Sequence, residues 1–192
     1  MSIFWMIVVA ILVLLVVYGV MAYNKFVNLK HNVSKAWANI DILLKQRHDE
    51  IPKLIEICKQ YMKFEQNTLE KVMLARSSVS HAREARDITA LGQAEGSLRA
   101  GMGQLFAVAE AYPELKSNEQ FLHLQARISN LENTVADRRE FYNECVNINN
   151  VGIEQFPDNI VSGMFNFEPA PLLEFASAEK ADVDVRNLFN AT

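Results

Sequence analysis

Hydrophobic residues follow two different patterns along this chain, and the first lies at its beginning. Residues 1–24 contain no Asp, Glu, Lys or Arg, and their middle reads IFWMIVVAILVLLVVYGVMA. At about 1.5 Å per residue, a helix over Ile3–Ala22 extends roughly 30 Å, the thickness of the hydrocarbon layer of a bilayer. We predict a single transmembrane anchor over residues 1–24. A cleaved signal peptide is the alternative, but the segment lacks a basic start and a small-residue cleavage site.

The charges that flank this segment predict its orientation. No Lys or Arg precedes it, whereas Lys25, Lys30 and Lys35 follow it before the first acidic residue, Asp41. Positively charged flanks usually stay on the cytoplasmic side of a membrane. We therefore expect the N-terminus outside and the C-terminal domain in the cytoplasm.

Beyond the anchor, hydrophobic residues recur every three or four positions, which places them on one face of a helix. The first such stripe covers residues 26–44 and continues the membrane helix. Pro52 predicts a break with Asp49 as the cap of a second helix, because proline has no backbone N–H to donate. We expect this second helix to reach about Val79, with a polar connection over residues 77–87.

Two further stripes predict a third and a fourth helix. The third covers residues 88–112 and ends at Pro113, and the fourth runs to about residue 156 from a capping box that begins at Ser117. The connections are short, and no segment alternates as a strand does. The pattern therefore predicts an all-α fold, in which the membrane helix continues into an antiparallel four-helix bundle over residues 25–156.

The pattern changes again after Pro157, where Gly163, Pro169 and Pro171 are interspersed with large apolar residues. We predict an extended tail over residues 157–192, first apolar and then polar. Its apolar part either contacts a partner or the membrane, or packs back along the chain's own bundle. The candidate contact residues are Met164, Phe165, Phe167, Leu172, Leu173 and Phe175.

Four charged residues lie on or beside the apolar stripes. Glu65 is on the second stripe, Glu95 on the third and Arg138 on the fourth, with Arg139 beside it. We expect facing helices to bring opposite charges together as an ion pair that fixes the helix register. A ligand-binding site is the alternative interpretation of the same residues.

Composition and motifs exclude several function classes. The net charge of -4 argues against a nucleic-acid partner, because such domains usually carry an excess of Lys and Arg. The chain contains no H-E-x-x-H, Glu-x-x-His, G-x-S-x-G or phosphate-binding loop motif. Cys58 and Cys145 do not have the spacing of zinc ligands, and we expect them to act as small apolar residues. No catalytic residue, cofactor, metal or small-molecule substrate is indicated.

The chain also contains a series of short motifs: Tyr23-Asn24, Ala36-Trp37, Ile40-Asp41, Asp49-Glu50-Ile51-Pro52, LFAVAEAYPELK at 105–116, NEQFLHL at 118–124, Arg139-x-Phe141-Tyr142-Asn143 and FPDNIVSGMFNF at 156–167. In their order and spacing these motifs resemble the LemA family. The resemblance extends from the anchor to about residue 175 and implies a bacterial, membrane-attached, mostly helical domain with no established reaction or ligand. The chain departs from the family pattern at Gln60-Tyr61, where Gly-Tyr is common, and at Phe64-Glu65, where His-Glu is common.

Three hypotheses for function follow from these patterns. The first is a non-catalytic scaffold that is anchored in the lipid bilayer and either forms a homo-oligomer or docks another membrane protein. The second is a regulatory or sensory adaptor, in which a signal shifts the long first helix and alters a partner's activity. The third is a hydrolase-type enzyme, which requires a cleft with several titratable groups that the sequence does not show.

Overall fold

The structure, a computed structural model, describes residues 3–174. Regular secondary structure within that range is entirely helical, so the predicted all-α class is confirmed. The four-helix arrangement and the domain boundaries stay predictions. The helices are α1 (Ile3–Tyr61), α2 (Gln66–Ala85), α3 (Ile88–Ala109), α4 (Pro113–Lys116), α5 (Glu119–Glu154) and α6 (Asp158–Met164).

The described chain forms two compact units, and α1 and α5 contribute residues to both. The first unit comprises residues 3–43 and 134–172, and the second comprises residues 44–133 and 173–174. Each has its own apolar packing, which stabilises it by about 25 cal/mol for each Å² removed from water. One cluster in the first unit contains Ala22, Phe26, Leu29, Ile153, Val161 and Phe167. Buried side chains of the second unit include Ile51, Leu54, Leu91, Leu98, Met102, Leu105, Leu115 and Phe121.

The predicted break at Pro52 is wrong, because α1 continues through this residue to Tyr61. A proline at position 52 removes the helical hydrogen bond to the carbonyl of residue 48, four positions earlier. That carbonyl has another donor, since Arg76 Nε of α2 donates to the His48 carbonyl oxygen at 2.8 Å. Asp49 therefore lies inside α1 and caps no helix.

The Arg76 guanidinium also contacts the His48 ring, with 2.6 Å between Arg76 Nη2 and His48 Nε2. Because a guanidinium can only donate, Nε2 accepts and the imidazole is neutral in this contact. Burial, and then the nearby Arg76 charge, lower the pKa of His48 and favour the same neutral form. Backbone and side chain of His48 are thus held by one arginine.

We predict that Arg76→Met destabilises the full-length protein by about 1–3 kcal/mol, because the His48 carbonyl loses its donor. The loss is expected to be smaller in a Pro52→Ala background, where the backbone N–H of the substituted residue donates to the same carbonyl. Chemical unfolding of the two single variants and the double variant in detergent measures this coupling. Lys71→Met, which changes an exposed cation on α2, is the control. Equal losses in both backgrounds would contradict the explanation.

The predicted polar connection over residues 77–87 is also wrong, since α2 continues to Ala85. Val79 and Ala82 are buried, so the apolar stripe of α2 runs through this polar stretch. The link to α3 consists of Arg86, whose φ of 54° is left-handed, and Asp87. Asp87 caps α3 by accepting a hydrogen bond from the Ala90 N–H at 2.9 Å.

The cap of α5 lies one residue after the predicted position. The Asn118 side-chain oxygen accepts from the Phe121 N–H at 3.0 Å, and α5 begins at Glu119. Ser117 is engaged elsewhere, because its hydroxyl donates to the Glu114 carbonyl at 3.0 Å. The short helix α4, which begins at Pro113, draws Ser117 into this turn.

The tail predicted to be extended contains a helix, α6. Val161 on α6 is buried in the cluster with Phe26, and the Ser162 hydroxyl donates to the Ile153 carbonyl at 3.0 Å. After α6, the Asn150 side chain forms two hydrogen bonds of 2.9 Å with the backbone of Ala170. These contacts hold the beginning of the tail on the helices of the first unit.

The last described residues pack within the second unit. Leu173 is only 1% exposed, and the Glu174 backbone lies against Gly92 of α3. A Cβ added at Gly92 would stand 1.9 Å from the Glu174 carbonyl oxygen, far closer than atoms tolerate. The glycine is therefore required by the close approach of the tail, and residues 173–174 pack back on the chain itself.

We predict opposite effects for two glycine-to-alanine changes in α3. Gly103→Ala adds a Cβ with nothing within 4 Å, and it should stabilise the protein by up to about 1 kcal/mol through helix propensity. Gly92→Ala should destabilise it, because the new methyl displaces the Glu174 backbone. Thermal unfolding followed by circular dichroism compares the two variants. Stabilisation by Gly92→Ala would show that the tail does not hold this position.

Candidate functional site

The N-terminal part of α1 exposes its apolar side chains. Within residues 3–174, α1 is the one helix long and apolar enough to cross a membrane, and its most apolar window has a mean hydropathy of 3.0 with none of its residues buried. A helix that is apolar on all sides and unburied is typical of a lipid-facing segment. The predicted anchor is therefore consistent with the structure.

A polar contact holds α6 on the end of this segment. The Asp158 carboxylate at the start of α6 accepts hydrogen bonds from the Tyr18 hydroxyl and from Lys25 Nζ, the latter at 2.5 Å. The bond from Lys25, and then that from Tyr18, lower the pKa of Asp158, so the carboxylate is charged at neutral pH. We call Tyr18, Lys25 and Asp158 the clasp.

Aromatic side chains pack beside the clasp. The Tyr23 ring lies with its centroid 4.8 Å from that of Phe165 and 5.7 Å from that of Phe167. Phe167 also packs on Phe26, at 5.1 Å between centroids. These edge-on and tilted arrangements are those that aromatic pairs prefer. Two of the candidate tail residues, Phe165 and Phe167, thus pack on α1 near the C-terminal end of the predicted anchor.

The other candidate tail residues have different environments. Met164 and Leu172 are exposed, whereas Leu173 is buried. Phe175 lies outside the described residues. The tail therefore divides into residues that cover the chain's own helices and residues, above all Met164, that remain uncovered.

An open apolar groove of about 960 Å³ lies between α1 and α6. Its α1 side extends from Leu12 to Tyr23, and its α6 side includes Ile160, Met164 and Phe165. These three residues of the α6 side are 58%, 71% and 52% exposed. We call this surface the anchor groove.

The buried ion pair in the second unit involves one predicted residue and one that the sequence reasoning missed. Glu95 on α3 accepts from Arg47 on α1, and both side chains are 3% exposed. The partner of Glu95 is thus an arginine that was not among the candidate residues, Arg47, on α1. Arg47 follows Leu44 by three positions and precedes Ile51 by four, so it continues the apolar stripe. The stripe was expected to end before Pro52, so Arg47 was not assigned to it.

The remaining predicted register residues lie outside this pair. Glu65 is half-buried just before α2, where its backbone carbonyl accepts from the Leu69 N–H at 3.2 Å. Arg138 is exposed on α5, and Arg139 beside it is half-buried. Their proposed role in interaction or register stays a prediction.

Comparison with known proteins now adds to this geometry. Residues 36–186 match the profile of the LemA family. The chain belongs to the LemA family. This confirms the resemblance that the short motifs carried.

Named relatives of this LemA-family chain include magnetosome proteins. Magnetosome protein MamQ 1 and MamQ 2 of Paramagnetospirillum magneticum are each 22% identical to it over 192 residues, covering 88% of this chain and 71% of theirs. Protein LemA of Metamycoplasma hominis is 25% identical over 167 residues, covering 87% of this chain and 75% of its own. None of these names states a reaction. Together with the apolar helix, they indicate a membrane-associated protein.

Beside the buried ion pair, this LemA-family protein places a second carboxylate, Glu132 of α5. One of its oxygens, Oε1, is buried and accepts no hydrogen bond within the described chain. Burial raises the pKa of Glu132, against the attraction of Arg47 and Arg99 and with the repulsion of Glu95. A raised pKa means that the folded state binds this proton more tightly than the unfolded state does.

We predict that Glu132→Gln stabilises the protein at neutral pH, because glutamine resembles the protonated carboxyl without the cost of a buried charge. Stability from the protonated form is fully present below the ordinary glutamate pKa and is lost as pH rises through the raised value. The unfolding midpoints of variant and parent should therefore converge on acidification. Glu140→Gln, at an exposed position of α5, is the control and should show no such trend. A destabilising Glu132→Gln would contradict the assignment.

Burial disfavours the reactive thiolate form of both cysteines in this LemA-family chain. Cys58 is fully buried, and burial raises its pKa to about 11, which disfavours the thiolate that nucleophilic chemistry needs. Cys145 is half-buried, and both thiols are free. Among residues 3–174, no three His, Cys, Asp or Glu side chains are grouped as a metal would require.

Proposed function

We propose that this LemA-family protein is a non-catalytic scaffold, anchored in a bacterial cytoplasmic membrane, that assembles with further copies of itself. Its N-terminus lies outside and its C-terminal domain lies in the cytoplasm. The flanking lysines support that orientation, because positive charges are retained on the cytoplasmic side. Its relatives include proteins named LemA and MamQ, which agrees with a role at a membrane.

The observation that carries the proposal is the exposure of Phe64. This side chain is 93% exposed in the turn between α1 and α2, where an aromatic ring in water is unfavourable. An open groove of about 590 Å³ begins in the same turn, at Met62 and Lys63. The groove is lined by Ile55, Lys59, Met62, Lys63, Gln66, Leu69, Glu70 and Met73.

The turn therefore combines an apolar projection with a groove of mixed polarity. Met62 and Leu69 form part of a buried floor, whereas Lys63 and Glu70 are exposed. Such an apolar centre with a charged rim is the arrangement of protein interfaces. A surface that carries both features can be self-complementary, as the interface of a two-fold dimer must be. Phe64 of one copy would enter the groove of the next, with lysine and glutamate rims facing each other.

We predict that the full-length protein, extracted in mild detergent, has a mass that is a defined multiple of its 21.8 kDa chain. Phe64→Ser should reduce that mass to the monomer, because it removes the side chain that fills the groove. Leu74→Ser, at a 68% exposed apolar position of α2 outside the groove, is the matched control and should leave the mass unchanged. Light scattering after size exclusion measures all three.

Two results would overturn self-assembly through this surface. If the parent protein is monomeric at every concentration, self-assembly is excluded. The remaining hypotheses are then that this chain docks another membrane protein as a scaffold or regulates it as an adaptor. An oligomer that Phe64→Ser does not weaken would move the interface to another part of the chain. Circular dichroism of Phe64→Ser confirms that any change of mass is not caused by unfolding.

A further inference from the structure

We propose that the anchor groove holds an acyl chain of a bilayer phospholipid, so that α6 is a second, interfacial contact with the membrane. This inference concerns the first unit only and does not depend on self-assembly through Phe64.

The walls of the groove determine the depth at which it lies. One wall is α1 from Leu12 to Tyr23, and this stretch lies within residues 1–24, the segment predicted to span the bilayer. The opposite wall includes Ile160 and Met164 of α6, both more than half exposed. A groove with one wall in the hydrocarbon layer is continuous with that layer. Lipid therefore surrounds it without any further protein.

The clasp places suitable polar groups at the edge of the groove. The Lys25 side chain is 50% exposed while it binds Asp158, so its ammonium can also meet a lipid phosphate. Tyr18 and Tyr23 belong to the groove lining, and Tyr18 also directs its hydroxyl to Asp158. Tyrosine and lysine with an apolar body and a polar tip are typical of the membrane–water interface.

A second copy of the anchor helix is the less favoured occupant. In lipid, apolar side chains alone give helices little reason to associate, and close packing usually needs small residues four positions apart or polar side chains. Within the groove, α1 presents Leu12, Leu15, Val16 and Val20, with Gly19 as the single small residue. An acyl chain fills such a surface as well as a helix does.

The test places a fluorescent probe on α6 of the full-length protein in liposomes. Met164→Cys in a Cys145→Ala background provides one accessible thiol, because Cys58 is fully buried. The thiol is labelled with bimane, and the liposomes contain phosphatidylcholine with a nitroxide near the top of one acyl chain. Leu74→Cys, 68% exposed on α2 against 71% for Met164, is the matched control.

We expect the nitroxide lipid to quench bimane at position 164 several-fold more strongly than at position 74. Asp158→Asn should reduce the quenching at position 164, because it weakens the bonds that hold α6 on the anchor. The same variant should leave the signal at position 74 unchanged.

Two outcomes would overturn the proposal. Equal and weak quenching at both positions would show that α6 does not reach lipid. Weak quenching at position 164, together with efficient oxidative cross-linking between Met164→Cys copies, would assign the groove to a second copy. Failure of the Phe64→Ser experiment would affect neither result, so the two proposals are tested separately.

Discussion

The His48 carbonyl is the point on which the continuity of α1 depends. Proline at position 52 removes its helical donor, and Arg76 from α2 supplies another. Without that bond, a partly buried carbonyl would lack a partner at a cost of about 1–3 kcal/mol, and α1 would be weakest there. Since α1 carries both the apolar N-terminal segment and part of the second-unit core, one side chain of α2 supports a helix that contributes to both units.

The buried ion pair of the second unit is weak evidence for stability. Moving Arg47 and Glu95 out of water is costly, and their attraction offsets that cost only when the two groups meet in one geometry. That this pair fixes the register of α3 on α1 stays a prediction. Glu132, close to the same arginine, carries a charge that burial disfavours, which indicates that this region was not arranged for maximal stability.

The sequence predicted what depends on local pattern and missed what depends on a distant partner. The apolar N-terminal helix follows from an uninterrupted apolar run, and the start of α3 at Ile88 and the length of α5 follow from apolar spacing. The end of α1 did not, because a proline usually breaks a helix and the compensating Arg76 lies 24 residues further along. The same error separated Arg47 from its stripe, so Arg47 was not among the charged residues expected to pair. The pattern of residues 158–164 predicted neither their helical conformation nor the contact of Asp158 with Lys25.

Two exposed phenylalanines show why exposure alone does not define a binding surface. Phe64 stands in a turn beside a groove whose rim carries lysine and glutamate, and charged groups of both signs are typical of a surface in water. Phe165 stands against Tyr23 at the end of a segment without charged residues. In water each ring would be unfavourable, but in hydrocarbon the exposure of Phe165 has no cost. Under the two proposals, a second copy of the chain covers the first ring and lipid covers the second.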